Sequence, residues 1–380
     1  MTDVGDVEVH GDVATVLARS RGRWRDETCA LARSIYEDPE LSGGEHRAAR
    51  RCWEVLERAG FDVQPVKGVP TAFVASFSAP HPGPTVGLLA EYDALPGLGH
   101  ACGHHLIAAS AVGAGLMLSD VIGSLAGTVR IYGCPAEETL EGKAAMLEAG
   151  VFDGLDAALT FHAHDSTTVM RSSNGLQFLT FRFRGRASHA GNEPWAGASA
   201  LDGVLLTCQN VNALRQFVRD GVRMHGIVTH GGDAYNIVPE LAECRFAVRS
   251  VDAVELERVV ERVVDCARAA AIASGTQLDV ERGSTIPPVL MDDALADRVR
   301  RSLESLDHAV SEWNALATTD FANVSRVVPA VLFSVETWPR GTAFHSPEAT
   351  TEGGTDRALD AMLDAAFVMA DVTAELLGTR

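Results

Sequence analysis

Residues 172–286 carry a complete β-α-β-β-α-β set of their own, and this most constrains how the chain folds. In Leu176–Arg184, Phe178, Thr180, Arg182 and Arg184 alternate with Leu179, Phe181 and Phe183, as in a strand with one face open. A helical stretch follows over Ala198–Arg219, then strands at His225–His230 and Leu241–Ser250. A second helix, Val254–Ala273, ends at Gly275, a residue suited to a left-handed C-terminal cap. A last strand, Gln277–Gly283, precedes Pro287-Pro288. That order is the split pattern of a ferredoxin-like α+β domain. A self-contained domain in mid-chain obliges its flanks to join each other. The expected organisation is therefore one domain from 1–171 and 287–380, with 172–286 inserted.

The flanks read differently. Val13–Tyr36 and Glu45–Ala59 have apolar residues at helical spacing. Thr71–Phe77 and Thr85–Ala90 are short apolar runs separated by Ala79–Pro84, which predicts a strand pair. A small-residue helix is expected at His104–Val121, strands at Thr128–Gly133 and Ala157–His162, and a helix at Gly142–Ala149. After the insert come a helix at Asp292–Leu306, a strand at Ala330–Glu336 and a terminal helix at Thr355–Leu377. This alternation predicts an α/β domain with a mixed sheet flanked by helices.

The net charge of -19 sets aside nucleic acid and anionic membranes as partners. No apolar run approaches the roughly 20 residues that span a bilayer. The start Met1-Thr2-Asp3-Val4-Gly5-Asp6 is acidic, so no secretory signal is expected. Seven scattered cysteines do not form a disulfide framework, and a reducing cytoplasm is the expected location.

Chemical residue types gather in loops that follow predicted strands, where open α/β sheets bind ligands. Ala90–His105 holds Glu91, Asp93, His100, Cys102, His104 and His105. Thiolate and imidazole suit zinc and its neighbours among the transition metals. Gly133–Thr139 contains the pair Glu137-Glu138. Adjacent carboxylates leaving a strand point in opposite directions, so one is free to bind metal while the other faces substrate. Phe161-His162-Ala163-His164-Asp165 and Thr342–Pro347, with His345, supply further histidines.

With these motifs the chain resembles the co-catalytic metallopeptidase family that includes aminoacylase, glutamate carboxypeptidase and succinyl-diaminopimelate desuccinylase. It is most similar to the branch of hippurate hydrolase, indole-acetyl-amino-acid hydrolase and aminobenzoyl-glutamate hydrolase. The matching stretches are Glu91–Pro96, Gly99–His104, Pro135–Glu138, Ala187-Ser188-His189-Ala190-Gly191, Asn236–Pro239 and Arg249, with Thr319–Ser325 and Val328-Pro329 in support. The resemblance implies a zinc-peptidase-like catalytic domain with an inserted lid or dimerisation domain. It implies two divalent metal ions held by Cys102, His104, Glu138, His162 and His345. A thiolate ligand favours zinc, with manganese and cobalt as alternatives. Glu137 would be the general base and Asp93 the acid that orients a ligand. His189, Asn236 and Arg249 would bind substrate, His189 by reaching the active site of a partner subunit in a homodimer. Two departures stand out: His105 replaces the usual Asp or Asn after Cys-Gly-His, and His162-Ala163-His164 offers two histidines where the family has one followed by proline.

The implied reaction is hydrolysis of a small-molecule amide, an N-acyl amino acid or dipeptide-like substrate with a carboxylate. Metal-activated water would give its proton to Glu137. Two alternatives share the site: hydrolytic deamination of a small aromatic amine, and a non-catalytic metal-binding protein. A cysteine-protease arrangement is disfavoured, because Cys102 and His104 share one tight turn.

Overall fold

The computed structural model describes residues 4–314 and 317–378. Its strands are β1 (Asp62–Pro65), β2 (Phe73–Ser78), β3 (His81–Glu91), β4 (Ala126–Cys134), β5 (Ala157–His164), β6 (Thr168–Ser172), β7 (Gly175–Arg184), β8 (Arg223–His230), β9 (Leu241–Ser250), β10 (Gln277–Ile286), β11 (Ser311–Asn314) and β12 (Ala330–Glu336). They form an eight-stranded and a four-stranded sheet. The described residues divide into two compact units. One gathers the chain up to Ser172, Val289 to Asn314 and Thr319 onward; the other is Ser173–Pro288 with Ala317-Thr318.

In the first unit the order is β1-β2-β4-β3-β5-β12-β6-β11. Strands β4, β3, β5 and β12 run parallel, and β2 and β6 pair antiparallel to them. The predicted pairing of β2 with β3 does not occur, because β4 lies between them: Ala75 pairs with Ile131, and Leu88 pairs with the same Ile131 from the other side. A short link suits a hairpin. However, Val86 and Leu88–Ala90 are buried, as a central parallel strand requires. The four parallel strands end at one edge of the sheet, and each feeds a loop there.

The helix His104–Ser119 is buried from His104 to Leu118 and apolar around its circumference, so only a central position satisfies it. It packs against β3, β5 and the terminal helix Asp356–Leu377. The predicted single helix Val13–Tyr36 is two, Val4–Arg23 and Arg25–Tyr36. Among the described residues, no helix is long and apolar enough to cross a membrane.

The second unit is an antiparallel sheet of order β10-β7-β9-β8, the ferredoxin-like arrangement. Helices Ala200–Leu214 and Ala253–Ser274 bury Phe181, Phe183, Val259 and Val263 with it. Both begin on side-chain caps: Ser199 accepts from the Asp202 amide, and Asp252 from the Val254 and Glu255 amides.

Candidate metal centre

The loop after β3 bends back at Gly103, whose φ of +80° starts the buried helix. A Cβ here would lie 2.5 Å from Ala163 Cβ, so only glycine lets the turn sit against β5. The turn presents Cys102 and His104 together. Cys102 Sγ lies 3.6 Å from His162 Nε2 at the end of β5, and His162 Nδ1 is tied to the Ala163 carbonyl at 2.8 Å. His104 Nδ1 hydrogen-bonds Asp93 Oδ1 at 2.9 Å, which turns Nε2 the other way.

Around His104 Nε2 stand Glu91 Oε2 and Glu137 Oε2, each at 3.7 Å, and Glu138 Oε1 at 3.9 Å. The other Glu138 oxygen is 3.5 Å from His345 Nε2. Glu137 and Glu138 therefore converge instead of pointing apart. The reason is local: β4 stops at Cys134, Ala136 has φ +55°, and a turn closes through the Leu140 amide on the Glu137 carbonyl. Strand alternation no longer applies there. Buried Glu45 supports this turn by accepting from the Ala136 amide, the Gly43 amide and Thr71.

Three donor triplets result: Cys102/His104/His162, Cys102/Glu138/His345 and His104/Glu137/Glu138, each with its ligand atoms within 4.8 Å of one another. His104 Nε2 and Glu138 Oε1 are buried without a hydrogen-bond partner among the described residues. Orphaned polar atoms of this kind need a counterpart. A thiol, imidazoles and carboxylates converging on common points fit divalent transition-metal ions.

Burial pushes the Cys102 thiol up to about 12 despite the opposing charge of His104. Burial also works against an ionised Asp93, yet His104, the Glu138 amide and Ser42 hold its carboxyl below the usual carboxylate range. Burial, then the charges of Glu91 and Asp320, raise Glu137 well above it.

The two extra histidines lie apart from these triplets. His105 Nε2 meets the Gly353 carbonyl at 2.9 Å, and its ring packs between Tyr36 and His100. His164 pairs with Asp165 at 2.8 Å and packs on Phe344.

His189, Asn236 and Arg249 belong to the second unit. His189 is exposed; its Nδ1 accepts from the Gly191 and Asn192 amides. The Ala190 amide binds the Asn236 carbonyl, so these two loops are joined. Arg249 on β9 donates to Thr318 Oγ1 at 3.0 Å and to His225 Nε2 at 3.4 Å. Burial lowers its pKa, and no carboxylate pairs with it among the described residues.

Sequence reasoning left Lys143 and Asp320 without roles and Glu91 as part of a motif only. All three are buried at the first unit's site: Lys143 Nζ is 2.7 Å from Glu91 Oε1 and ion-paired with Asp320. The available signal was a single lysine in the otherwise small and apolar run Gly142–Met146, just after the acidic pair.

Residues 80–374 match the profile of peptidase family M20/M25/M40. The chain is 36% identical over 321 residues to mouse Xaa-Arg dipeptidase, covering 80% of this chain and 74% of that protein. It is 32% identical over 331 residues to a p-aminobenzoyl-glutamate hydrolase from Escherichia coli, covering 81% of this chain and 67% of that one. A crystal structure of a dinuclear metal-binding M20 peptidase from Bacillus subtilis superposes with a TM-score of 0.77 over 94% of this chain and all of that one, at 21% identity, and so shares the fold. With a family profile matched over most of its length and relatives above 30% identity, the chain belongs to peptidase family M20/M25/M40.

Proposed function

We propose that the protein is a metal-dependent amidohydrolase that cleaves the amide bond of an N-acyl amino acid or a small dipeptide-like substrate. The observation that carries this reading is Cys102, which belongs to two donor triplets at once, one with His104 and His162 and one with Glu138 and His345. Two cations sharing a ligand are the arrangement such a donor set suits. Cys102, His104, Glu138, His162 and His345 are the residues that hold them. Bound there, divalent ions polarise the amide carbonyl and lower the pKa of water.

The chain's own groups handle the proton. Glu137 is buried beside His104 without being needed in either Cys102 triplet. Its raised pKa suits a carboxylate that takes a proton from the attacking water and returns it to the leaving nitrogen. Water adds to the carbonyl carbon, the C–N bond breaks, and an acid and an amine leave. Asp93 holds His104 in one orientation and, through the Glu138 amide, fixes the acidic turn. His189, Asn236 and Arg249 are the substrate-binding residues of the second unit, which acts as lid and dimerisation domain to the catalytic first unit. Arg249, a half-buried cation without a carboxylate partner, suits a carboxylate on the substrate.

Relatives named as an Xaa-Arg dipeptidase, an aminobenzoyl-glutamate hydrolase and an N-acetyl-L-cysteine deacetylase support this substrate class. The thiol ligand supports zinc over manganese or cobalt. Strand β8 ends the second sheet with Ile227 and Val228 exposed, an edge that supports a homodimer. Seven unpaired cysteines support a cytoplasmic location.

The test is amine release from a panel of N-acyl amino acids, aroyl-glutamates and dipeptides, before and after chelation and with Zn2+, Mn2+ or Co2+ restored. Activity lost on chelation and regained with a divalent ion is expected. Turnover indifferent to chelation, or a protein that takes up no divalent ion, overturns the reading.

A further inference from the structure

Behind the acidic pair, three charged side chains are buried together. Lys143 sits in the first turn of the short helix Gly142–Glu148, Glu91 ends β3, and Asp320 precedes the helix Phe321–Ser325. Lys143 and Asp320 have no exposed surface and Glu91 is 2% exposed. Asp320 grips Lys143 twice: Oδ1 pairs with Nζ, and Oδ2 accepts the Lys143 backbone amide at 2.9 Å. Lys143 Nζ in turn holds Glu91 Oε1 at 2.7 Å. The other Glu91 oxygen lies 3.7 Å from His104 Nε2, the same separation as Glu137.

Stability alone does not account for this triad. Taking ions out of water costs several kcal/mol each, and well-packed apolar replacements of such groups are often neutral or stabilising. The triad also leaves one net negative charge buried, from two carboxylates and one ammonium. What it does achieve is orientation. Glu91 has one oxygen fixed from behind, so the other faces the unpaired His104 Nε2. His104 is then held on both sides: Asp93 fixes Nδ1, and the Lys143 clamp fixes the carboxylate opposite Nε2.

We propose that Lys143, anchored by Asp320, is a positioning residue of the metal centre: it holds Glu91 against the ligand face of His104 and thereby sets both the cation affinity and the turnover of the cluster. The inference rests on the metal-dependent reading above. It also gives a role to the Thr319–Ser325 stretch and the helix after the acidic pair, which the ligand set leaves unused.

The experiment titrates Zn2+ into the full-length apoprotein against a chromophoric chelator and measures kcat and KM on the reloaded enzyme. Three variants are compared with the parent: E91Q, the double variant K143M/D320N and the triple variant. K143M/D320N removes the anchoring pair with no change in net charge, which avoids stranding an unpaired buried ion. If Lys143 and Asp320 were only a structural pair, that variant would bind Zn2+ and turn over like the parent. On the positioning role, E91Q and K143M/D320N each lose about 10–100-fold in Zn2+ affinity and in kcat. KM stays within about twofold, because the loss falls on the transition state. The triple variant loses no more than either, since both changes remove the same interaction. Parent-like Zn2+ affinity and kcat in folded E91Q or K143M/D320N overturn the proposal, as do fully additive losses in the triple variant. If K143M/D320N does not fold, the isosteric E91Q decides alone. A parent protein that binds no Zn2+ instead sinks the metal-dependent reading, so the two failures are distinct.

Discussion

The Asp93 carboxylate accepts from His104 Nδ1 at 2.9 Å through one oxygen and from the Glu138 backbone amide at 2.9 Å through the other. One buried acid therefore fixes the ring of one ligand and the turn that carries another. Asn in its place keeps the shape but loses the charge that favours an Nδ1–H tautomer with Nε2 free. Asp93→Asn is expected to weaken divalent-ion affinity and kcat by about 10–100-fold. Chelator competition on the apoprotein checks it, and unchanged affinity in a folded variant removes Asp93 from this role.

Glu137 and Glu138 are chain neighbours assigned different tasks, and substitution separates them. Glu137→Gln is isosteric and leaves both Cys102 triplets intact. Its expected effect is a fall in kcat of about 10²–10⁴-fold, the usual contribution of a positioned general base. Metal content measured by elemental analysis should match the parent. Near-normal turnover would show that the proton goes elsewhere.

The residues legible in the sequence were those whose chemistry sits in loops. Cys102, His104, Glu137, Glu138, His162 and His345 stood out because thiol, imidazole and carboxylate groups gathered after predicted strands, and the structure brings all six together in the first unit. The antiparallel second sheet was equally legible, because Leu179, Phe181 and Phe183 alternate with polar residues on a half-open face. Strand order in the first sheet was not. Strands buried on both faces lack alternation, so nothing local revealed that β4 separates β2 from β3. The short strands β6 and β11 went unread for the same want of pattern. Lys143 was hidden differently: a lysine in a helix reads as solvent-facing unless its partners are known, and Asp320 lies 177 residues away.

Gly103 carries a steric prediction. Its φ of +80° strains any other residue, and an added methyl would stand 2.5 Å from Ala163 Cβ with Trp338 behind it. Gly103→Ala therefore either shifts β5 or opens the Cys102–His104 turn. The backbone component alone is expected to cost about 1–3 kcal/mol. Urea denaturation of the apoprotein reads that loss, with weaker Zn2+ uptake as its companion. A variant of parental stability would mean that the turn relaxes freely.

Asp371 offers a pH dependence away from the metal centre. It lies on the terminal helix Asp356–Leu377, where Ser302 Oγ donates to its Oδ2 at 2.6 Å. Burial, with Glu375 one turn on adding a like charge, raises its pKa above the ordinary carboxylate value, although Ser302 opposes the shift. A carboxyl whose pKa is raised by folding binds its proton more tightly in the native than in the unfolded chain. Its contribution is therefore most favourable below the unfolded pKa of about 3.9 and declines as pH rises through the folded value. Asparagine keeps an oxygen for Ser302 and has no charge to bury. Asp371→Asn should therefore gain stability over the parent as pH increases from about 4 to 8, with little difference at the acid end. Urea midpoints of both apoproteins across that range test the sign. A difference that is flat with pH, or one that favours the parent at pH 8, would show that Asp371 is better ionised than its burial implies.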